Sequence, residues 1–322
     1  MKTFFVVFFI LFLTTLFSCK NTTEPVRTTQ KIVYTSNEKV YIVDADGQND
    51  RAFTDGRYAL FSRDGKQVIY LDKDIYSINI DGKSKKNITN DTLNIFDNFK
   101  ISQDGSQIVY QAYNGQNNED IFLINIDGSN KKNLSNNIFY DENPDFSPDG
   151  NKIIFDSYRD NSHDIYIIDI YGNSLNKLTN EGYNQFPHFS PDGNKIVFQS
   201  SQNSLDQISI MNSDGSNLIN FSNNTFNEQL PQFSPDGKKI LFRSNREGNY
   251  NFFLMDIDGS NLVNLTKNLP RSFHLKYSAD GKKIVFESGL YASLNIFTMN
   301  SDGTGVKRVT DNNRNEQKPD IY

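Results

Sequence analysis

Short apolar runs alternate with clusters of turn residues along the chain, and residues 231–244 show the pattern most fully. Phe233 ends one apolar run, residues 234–237 read Ser-Pro-Asp-Gly, and Ile240 to Phe242 begin the next run. Proline presets the second position of a tight turn, aspartate caps the backbone, and glycine adopts the left-handed conformation that closes a hairpin. The pattern therefore predicts two antiparallel strands joined by a tight turn.

The same phrase occurs six times, so the chain is built from repeats. Its equivalent first residues are Phe61, Ile101, Phe146, Phe189, Phe233 and Tyr277. Their spacing, between about 40 and 45 residues, is typical of four-stranded propeller blades. Several predicted strands are apolar on both faces, as expected for sheets that are covered on two sides.

The two ends of the chain predict how the ring closes. Residues 31–54 supply three strands of a further repeat but no inner strand, and they end in the same kind of turn and strand as the other repeats. Ile321 follows Tyr277 by one repeat length, in a phrase that resembles the segment around Phe146. We therefore predict an all-β, seven-bladed β-propeller of four-stranded antiparallel blades, closed by the C-terminal strand. A six-bladed ring with one degenerate unit outside it is the alternative.

The N-terminal residues have a different composition from the repeats. Residues 4–17 are apolar apart from Thr14 and Thr15, and Lys2 precedes them, which is typical of a secretory signal. Residues 16–19, Leu-Phe-Ser-Cys, resemble a bacterial lipobox, and Cys19 is the single cysteine of the chain. We expect a lipoprotein signal peptide over residues 1–18, lipidation at Cys19, a tether over residues 19–30 and the propeller over residues 31–322. An uncleaved anchor, or an ordinary signal with an incidental cysteine, is the alternative.

The amino-acid composition of the chain limits the classes of molecule that it is expected to bind. The chain has 322 residues, of which 36% are hydrophobic and 13% aromatic, and its formal net charge is −6. An acidic balance without a basic stretch argues against nucleic-acid binding. We expect a monomeric protein of the bacterial envelope, on the periplasmic side or the surface of the outer membrane.

The repeat resembles the TolB-type propeller repeat, whose hallmark is Phe-Ser-Pro-Asp-Gly followed by an Ile-Val-Phe strand, Asp-Ile-Tyr and Leu-Thr. Residues 189–193 and 164–166 of this chain carry two of these phrases. Similar repeats occur in TolB, in propellers attached to prolyl-type peptidases, in tricorn-like proteases and in oligogalacturonate lyases. The resemblance implies a fold rather than one activity. TolB also has a smaller α/β domain ahead of its propeller, and we expect no room for one in this chain.

The connections between strands predict two unlike faces. The Asp-Gly turns are uniform, and turn chemistry alone explains their aspartates. The other connections vary between repeats and carry Tyr, Asn, Arg and His, which suit recognition of peptide or sugar surfaces. Solvated loops without a ligand are the alternative. The candidate binding residues are Tyr113, Asn114, Tyr158, Arg159, His163, Tyr183, His188, Arg246, Tyr250, His274 and Tyr291.

Signals for catalysis are weak, since the sequence has no nucleophile elbow, zinc-protease motif, phosphate loop or cysteine pair. The first functional hypothesis is a non-enzymatic scaffold, without a cofactor, that binds an envelope protein, a peptide or a glycan. The alternative follows from the resemblance to oligogalacturonate lyases, which use a histidine-rich metal site near the axis. It is an oligosaccharide lyase or hydrolase whose metal is held by His188 and His274 with Gln185, Gln229 or Gln232.

Overall fold

The protein is described here by a computed structural model that covers residues 29–90, 93–115, 118–159, 161–202, 204–221, 225–290 and 293–322. Within these ranges the regular structure consists of 28 strands arranged in seven four-stranded antiparallel sheets. Each sheet is one blade of a propeller. We number the blades 1 to 7 in chain order and the strands of a blade from the inside outward.

The strands of the first four blades are, for blade 1, β28 (Gln317–Ile321), β1 (Lys31–Ser36), β2 (Lys39–Asp44) and β3 (Arg51–Asp55); for blade 2, β4 (Tyr58–Phe61), β5 (Gln67–Asp72), β6 (Asp74–Asn79) and β7 (Lys86–Asn87); for blade 3, β8 (Ile95–Ile101), β9 (Gln107–Tyr113), β10 (Glu119–Asn125) and β11 (Lys132–Asn133); and for blade 4, β12 (Tyr140–Phe146), β13 (Lys152–Arg159), β14 (Ser162–Asp169) and β15 (Asn176–Lys177). Those of the last three are, for blade 5, β16 (Tyr183–Phe189), β17 (Lys195–Gln202), β18 (Leu205–Asn212) and β19 (Ile219–Asn220); for blade 6, β20 (Glu228–Phe233), β21 (Lys239–Glu247), β22 (Asn249–Asp256) and β23 (Val263–Asn264); and for blade 7, β24 (Ser272–Tyr277), β25 (Lys283–Leu290), β26 (Ser293–Asn300) and β27 (Lys307–Arg308).

The C-terminal strand closes the ring. Strand β28 pairs antiparallel with β1, with Ile321 opposite Ile32, and so supplies the inner strand of blade 1. The side chain of Asp320 extends to both neighbouring blades: it accepts a hydrogen bond from Phe61 N at 2.7 Å and lies 2.9 Å from Lys276 Nζ. The seven-bladed prediction is confirmed, and the six-bladed alternative is excluded.

The Ser-x-Asp-Gly turns have the predicted local chemistry. Asp236 accepts hydrogen bonds from the hydroxyl of Ser234 at 2.6 Å and from Lys238 N at 3.1 Å, and Gly237 has a φ of 69°. These bonds, led by that of the serine, hold the pKa of Asp236 below its usual value. The aspartates of these turns therefore stabilise the hairpins.

The hydrophobic core lies between the blades. Val109 and Ile121 of blade 3, for example, pack in one cluster with Ile153 and Phe155 of blade 4. Because every blade contacts a neighbour on both sides, the middle strands are buried on both faces, as their sequences predicted.

The connections lie on two faces of the ring. The turns after the first and third strands of each blade form the turn face, where Gly193 of blade 5 approaches Pro148 of blade 4. The connections after the second and fourth strands form the loop face, where Asn118 donates a hydrogen bond to Phe139 O. In the ranges given above, no helix has the length and hydropathy required to cross a bilayer.

Candidate functional site: the central cavity and the loop face

The inner strands of all seven blades line a central cavity of about 450 Å³. Five of them have a residue with positive φ at the same place: Asn143, Phe186, Leu230, His274 and Lys318. The pairing with the second strand shifts register there, as in a β-bulge. Each bulge turns a side chain toward the axis, so these five residues all line the cavity.

His188 and His274 both line this cavity, as the sequence suggested for a site near the axis. His188 Nδ1 lies 2.9 Å from Asp145, and His274 Nδ1 lies 2.6 Å from Glu287. Burial opposes ionisation of Asp145, but the contact with His188, the nearby Lys100 and the N–H of Phe146 together hold the pKa of the carboxyl below its usual value. Each imidazole is thus positioned by its own carboxylate.

Three lysines, which the sequence did not single out, also line the cavity: Lys100, Lys276 and Lys318. Lys318 Nζ lies 2.8 Å from Asp97, and burial lowers the pKa of Lys100. The cavity wall therefore presents amines and imidazoles beside carboxylates, which suits polar and charged ligands.

On the loop face, three predicted binding residues come together. The ring of His163 lies 4.2 Å from that of Tyr183 and 5.1 Å from that of Tyr158, measured between ring centroids. His163 is buried, whereas Tyr158 and Tyr183 keep 37% and 40% of their surface exposed, and Tyr140 opposite Tyr158 keeps 43%. Each tyrosine lies at or next to the end of its strand. We call Tyr140, Tyr158 and Tyr183 the tyrosine patch.

Acidic side chains lie close to His163. Asp156 is fully buried and Glu142 partly buried, and together with His163 they place ligand-type atoms within 4.8 Å of one another. Burial, followed by the nearby carboxylates of Asp156 and Glu119, raises the pKa of Glu142 to about 7. Burial also raises the pKa of Asp156.

The two predicted arginines lie in buried ion pairs. Arg159 lies 3.1 Å from Asp141 and donates to Ser157, with its guanidinium over the ring of Tyr166. Arg246 pairs in the same way with Glu228. Both side chains are mostly shielded from solvent, so they brace the loop-face ends of blades 4 and 6.

The remaining candidates are spread around the ring. Tyr113 packs against Phe96, Asn114 donates to Asp120 at 2.7 Å, and Tyr250 lies under the guanidinium of Arg243. Tyr291 and the predicted lipidation site Cys19 lie outside the described residues.

The sequence analysis named neither Asp156 nor Glu142 as a candidate binding residue. A signal was available in the hairpin register, because Glu142 pairs with Asp156 and therefore shares its face of the sheet. The bulge at Asn143 hides this alignment when the repeats are compared by spacing alone.

Comparisons with known proteins agree with this architecture. The family described as the TolB beta propeller domain matches residues 26–231 and 220–322. A TolB candidate from Agrobacterium tumefaciens is 24% identical, with a TM-score of 0.57 over 73% of this chain and 88% of that one. TolB from Acinetobacter baumannii is 17% identical, with a TM-score of 0.63 over 91% of this chain and 66% of that one.

An oligogalacturonate lyase in complex with manganese is 13% identical, with a TM-score of 0.68 over 88% of this chain and 85% of that one. A search of curated proteins found no significant match. At these identities the solved structures show a shared fold, and the family match covers nearly all of the propeller. Seven blades, the repeated turns and this match together show that the chain belongs to the TolB beta propeller domain family.

Proposed function

We propose that this chain is a lipid-anchored binding scaffold of the bacterial envelope, which captures a protein, a peptide or a glycan through its loop face without catalysis. The observation that carries the proposal is the tyrosine patch. Half-exposed tyrosines, two of which pack on the buried ring of His163, offer flat and ordered contact area.

The contrast between the faces supports this assignment. The turn face repeats one hydrogen-bonding scheme that folding alone explains, as shown by the matching bonds of Asp149 and Asp236. The loop face carries different side chains in each blade. Ligand binding is commonly located on variable connections that a rigid scaffold holds in place.

The anchor and the partner class follow from the sequence. Lipidation at Cys19 would tether the propeller to an envelope membrane, and the acidic net charge of −6 makes nucleic acid an unsuitable ligand. Tyrosine hydroxyls beside buried carboxylates favour a polar ligand such as a peptide segment or a glycan. We expect the propeller itself to be monomeric.

Binding to peptide and glycan arrays tests the proposal with residues 20–322 as the probe. We expect specific ligands whose affinity falls at least about tenfold in a Tyr158→Ala/Tyr183→Ala variant. Tyr171→Ala is the matched control, because Tyr171 is an equally large and even more exposed ring on the turn face. Ligands that bind the double variant as tightly as the parent would contradict the proposal.

A second candidate is an oligosaccharide lyase or hydrolase that works in the central cavity. It is favoured by His188 and His274, which line the same cavity from blades 5 and 7, each beside a carboxylate that orients its imidazole as a proton acceptor. Incubation with acidic oligosaccharides, followed by mass spectrometry, would detect cleavage. Cleavage that disappears in a His188→Ala/His274→Ala variant would establish this activity and displace the scaffold proposal.

A further inference from the structure

Glu142, Asp156 and His163 form a compact group of potential metal ligands, which we call the Glu142 cluster. They come from three adjacent strands of blade 4: β12, β13 and β14. Glu142 pairs with Asp156, and Tyr158, two residues after Asp156, pairs with His163. The alternation of side chains places all three on one face of the sheet.

Two atoms of this cluster lack hydrogen bonds although they are buried. Asp156 Oδ2 and His163 Nδ1 lie 3.4 Å apart, within ion-pair distance of each other, but neither makes a hydrogen bond of normal geometry. The other oxygen of Asp156 is fully used, since it accepts from Asn143 Nδ2 at 3.0 Å and Phe186 N at 3.1 Å. A buried polar atom without a hydrogen bond is unfavourable, and a bound ion is one of the established explanations for such an atom.

Blade 7 provides an internal comparison. Glu287 occupies the position of Asp156, directly after the aromatic residue of the second strand, and it also faces a histidine. Its two oxygens are both engaged, by His274 Nδ1 at 2.6 Å and by Lys318 N at 2.7 Å. Both oxygens of Glu287 therefore have hydrogen bonds, one with His274 of the same blade and one from Lys318 of blade 1, whereas Asp156 Oδ2 has only the 3.4 Å contact with His163.

The carboxylates around the Glu142 cluster also favour binding of a cation. Glu119 of blade 3 brings a third carboxylate, which is buried and accepts a hydrogen bond from Gln111. Among the residues that the structure describes, Glu119, Glu142 and Asp156 form no salt bridge with lysine or arginine. Once ionised, these carboxylates with one imidazole would carry a net negative charge that a divalent ion would neutralise.

We propose that Glu142, Asp156 and His163 bind a divalent transition-metal ion, of the Zn²⁺ or Mn²⁺ class. Two carboxylates with one imidazole suit these ions, whereas Mg²⁺ and Ca²⁺ prefer oxygen ligands alone. The three ligands leave coordination positions open for water or for a group of a bound molecule. The site is independent of the proposed scaffold function, although His163 packs between two tyrosines of the patch.

This site is distinct from the central cavity. None of its three ligands lines that cavity, but Asn143 and Phe186, which donate to Asp156, do line it. These two donors fix the orientation of the Asp156 carboxylate, as outer partners of metal ligands commonly do.

Metal uptake by the propeller, stripped with a chelator and then freed of it, tests the proposal directly. Equilibrium dialysis with Zn²⁺, Mn²⁺, Mg²⁺ or Ca²⁺ should give one tightly held Zn²⁺ or Mn²⁺ ion per chain and weaker binding of the other two. Electron paramagnetic resonance of Mn²⁺ should show loss of the free-ion signal. Absence of stoichiometric uptake of all four ions would overturn the proposal.

Substitutions then locate the ion. Glu142→Gln and His163→Gln should each weaken binding at least about tenfold, since even changes to outer partners cost 10-fold to 100-fold. Glu316→Gln in blade 1 is the matched control, because Glu316 is a buried carboxylate that already accepts from Asn312 at 2.7 Å. Uptake that survives His163→Gln but is lost in His274→Gln would place the ion in the cavity and refute the site.

Asp156→Asn separates metal binding from folding. The asparagine retains an oxygen for Phe186 N and replaces Oδ2 with an amide nitrogen that can donate to His163 Nδ1. We expect this variant to lose metal uptake at least about tenfold while its metal-free melting temperature stays at or above that of the parent. Unchanged uptake in this variant would overturn the proposal, and anomalous diffraction from metal-soaked parent crystals gives an independent location of the ion.

Discussion

Removal of the C-terminal strand should disrupt the whole ring rather than one blade. Deletion of residues 318–322 takes away the side chain of Ile321, which is 3% exposed and packs with Ile32 and Tyr34. It also removes the acceptor for Phe61 N and the two backbone hydrogen bonds between Lys31 and Tyr322. Blade 1 would then expose an unpaired inner edge.

The size of the effect follows from these contacts. Loss of a buried isoleucine side chain costs about 2–5 kcal/mol. An unpaired buried N–H costs about 1–3 kcal/mol, and each backbone bond contributes about 0.5–1.5 kcal/mol. Together these losses approach the roughly 5–15 kcal/mol by which a domain is stable. The truncated chain should therefore be largely unfolded near room temperature.

Thermal unfolding followed by circular dichroism measures this effect, and a point variant keeps the test quantitative. Ile321→Ala should lower the melting temperature by roughly 4–20 °C, given about 2–4 °C per kcal/mol for domains of similar size. Ile138→Ala, at an isoleucine that is 77% exposed, should change stability by no more than about 0.5 kcal/mol. A truncated protein that melts at the parent temperature would refute the closure argument.

Three further predictions concern other parts of the molecule. Arg159→Ala should cost about 3–5 kcal/mol in urea unfolding because it leaves Asp141 buried without its cation, whereas Arg308→Ala, in a more exposed pair, should cost less than about 1 kcal/mol. Hydrogen bonds led by that of Ser102 lower the folded-state pKa of Asp104 to about 2, so its stabilising contribution is complete above the usual aspartate pKa of 3.8 and is lost as pH falls toward 2; unfolding free energies measured across this pH range, with a weaker pH dependence in Asp104→Asn, check it. Cys19→Ser should move the protein from the membrane fraction to the soluble fraction and abolish the acyl mass, and unchanged fractionation would contradict the anchor.

The fold could be predicted from the sequence because local chemistry determines most of it. Residues 234–237 specify their turn through bonds within five residues, and the structure reproduces them in the other repeats. The closing strand was found from one spacing, that of Ile321 after Tyr277, because a ring of equal blades fixes where the missing strand must come. Both inferences need only contacts between neighbouring segments.

The candidate site was harder to predict from the sequence because it depends on which side chains face each other across strands. Arg159 and Arg246 were predicted as binding residues from their loop positions, yet each pairs with an acid 18 residues earlier, Asp141 or Glu228. That shared spacing was visible in the sequence and indicates a bracing role. The contact between His163 and Tyr183 joins blades 4 and 5 and cannot be read from either repeat alone.

The residue after the aromatic residue of the second strand supports folding in several blades, but it carries a carboxyl group in only some of them. In blades 3, 4, 5 and 7, the side chain that follows the aromatic residue of the second strand accepts a hydrogen bond from a backbone N–H of the next blade's inner strand. These side chains are Gln111, Asp156, Gln199 and Glu287. Glutamine suffices for this bond in blades 3 and 5, so the fold itself requires one oxygen and no charge. The carboxyl groups of blades 4 and 7 therefore supply a second oxygen that this bond does not require. In blade 7 the second oxygen lies 2.6 Å from His274 Nδ1, but in blade 4 it lies 3.4 Å from His163 Nδ1 without a hydrogen bond of normal geometry, and a metal ion would bridge this pair.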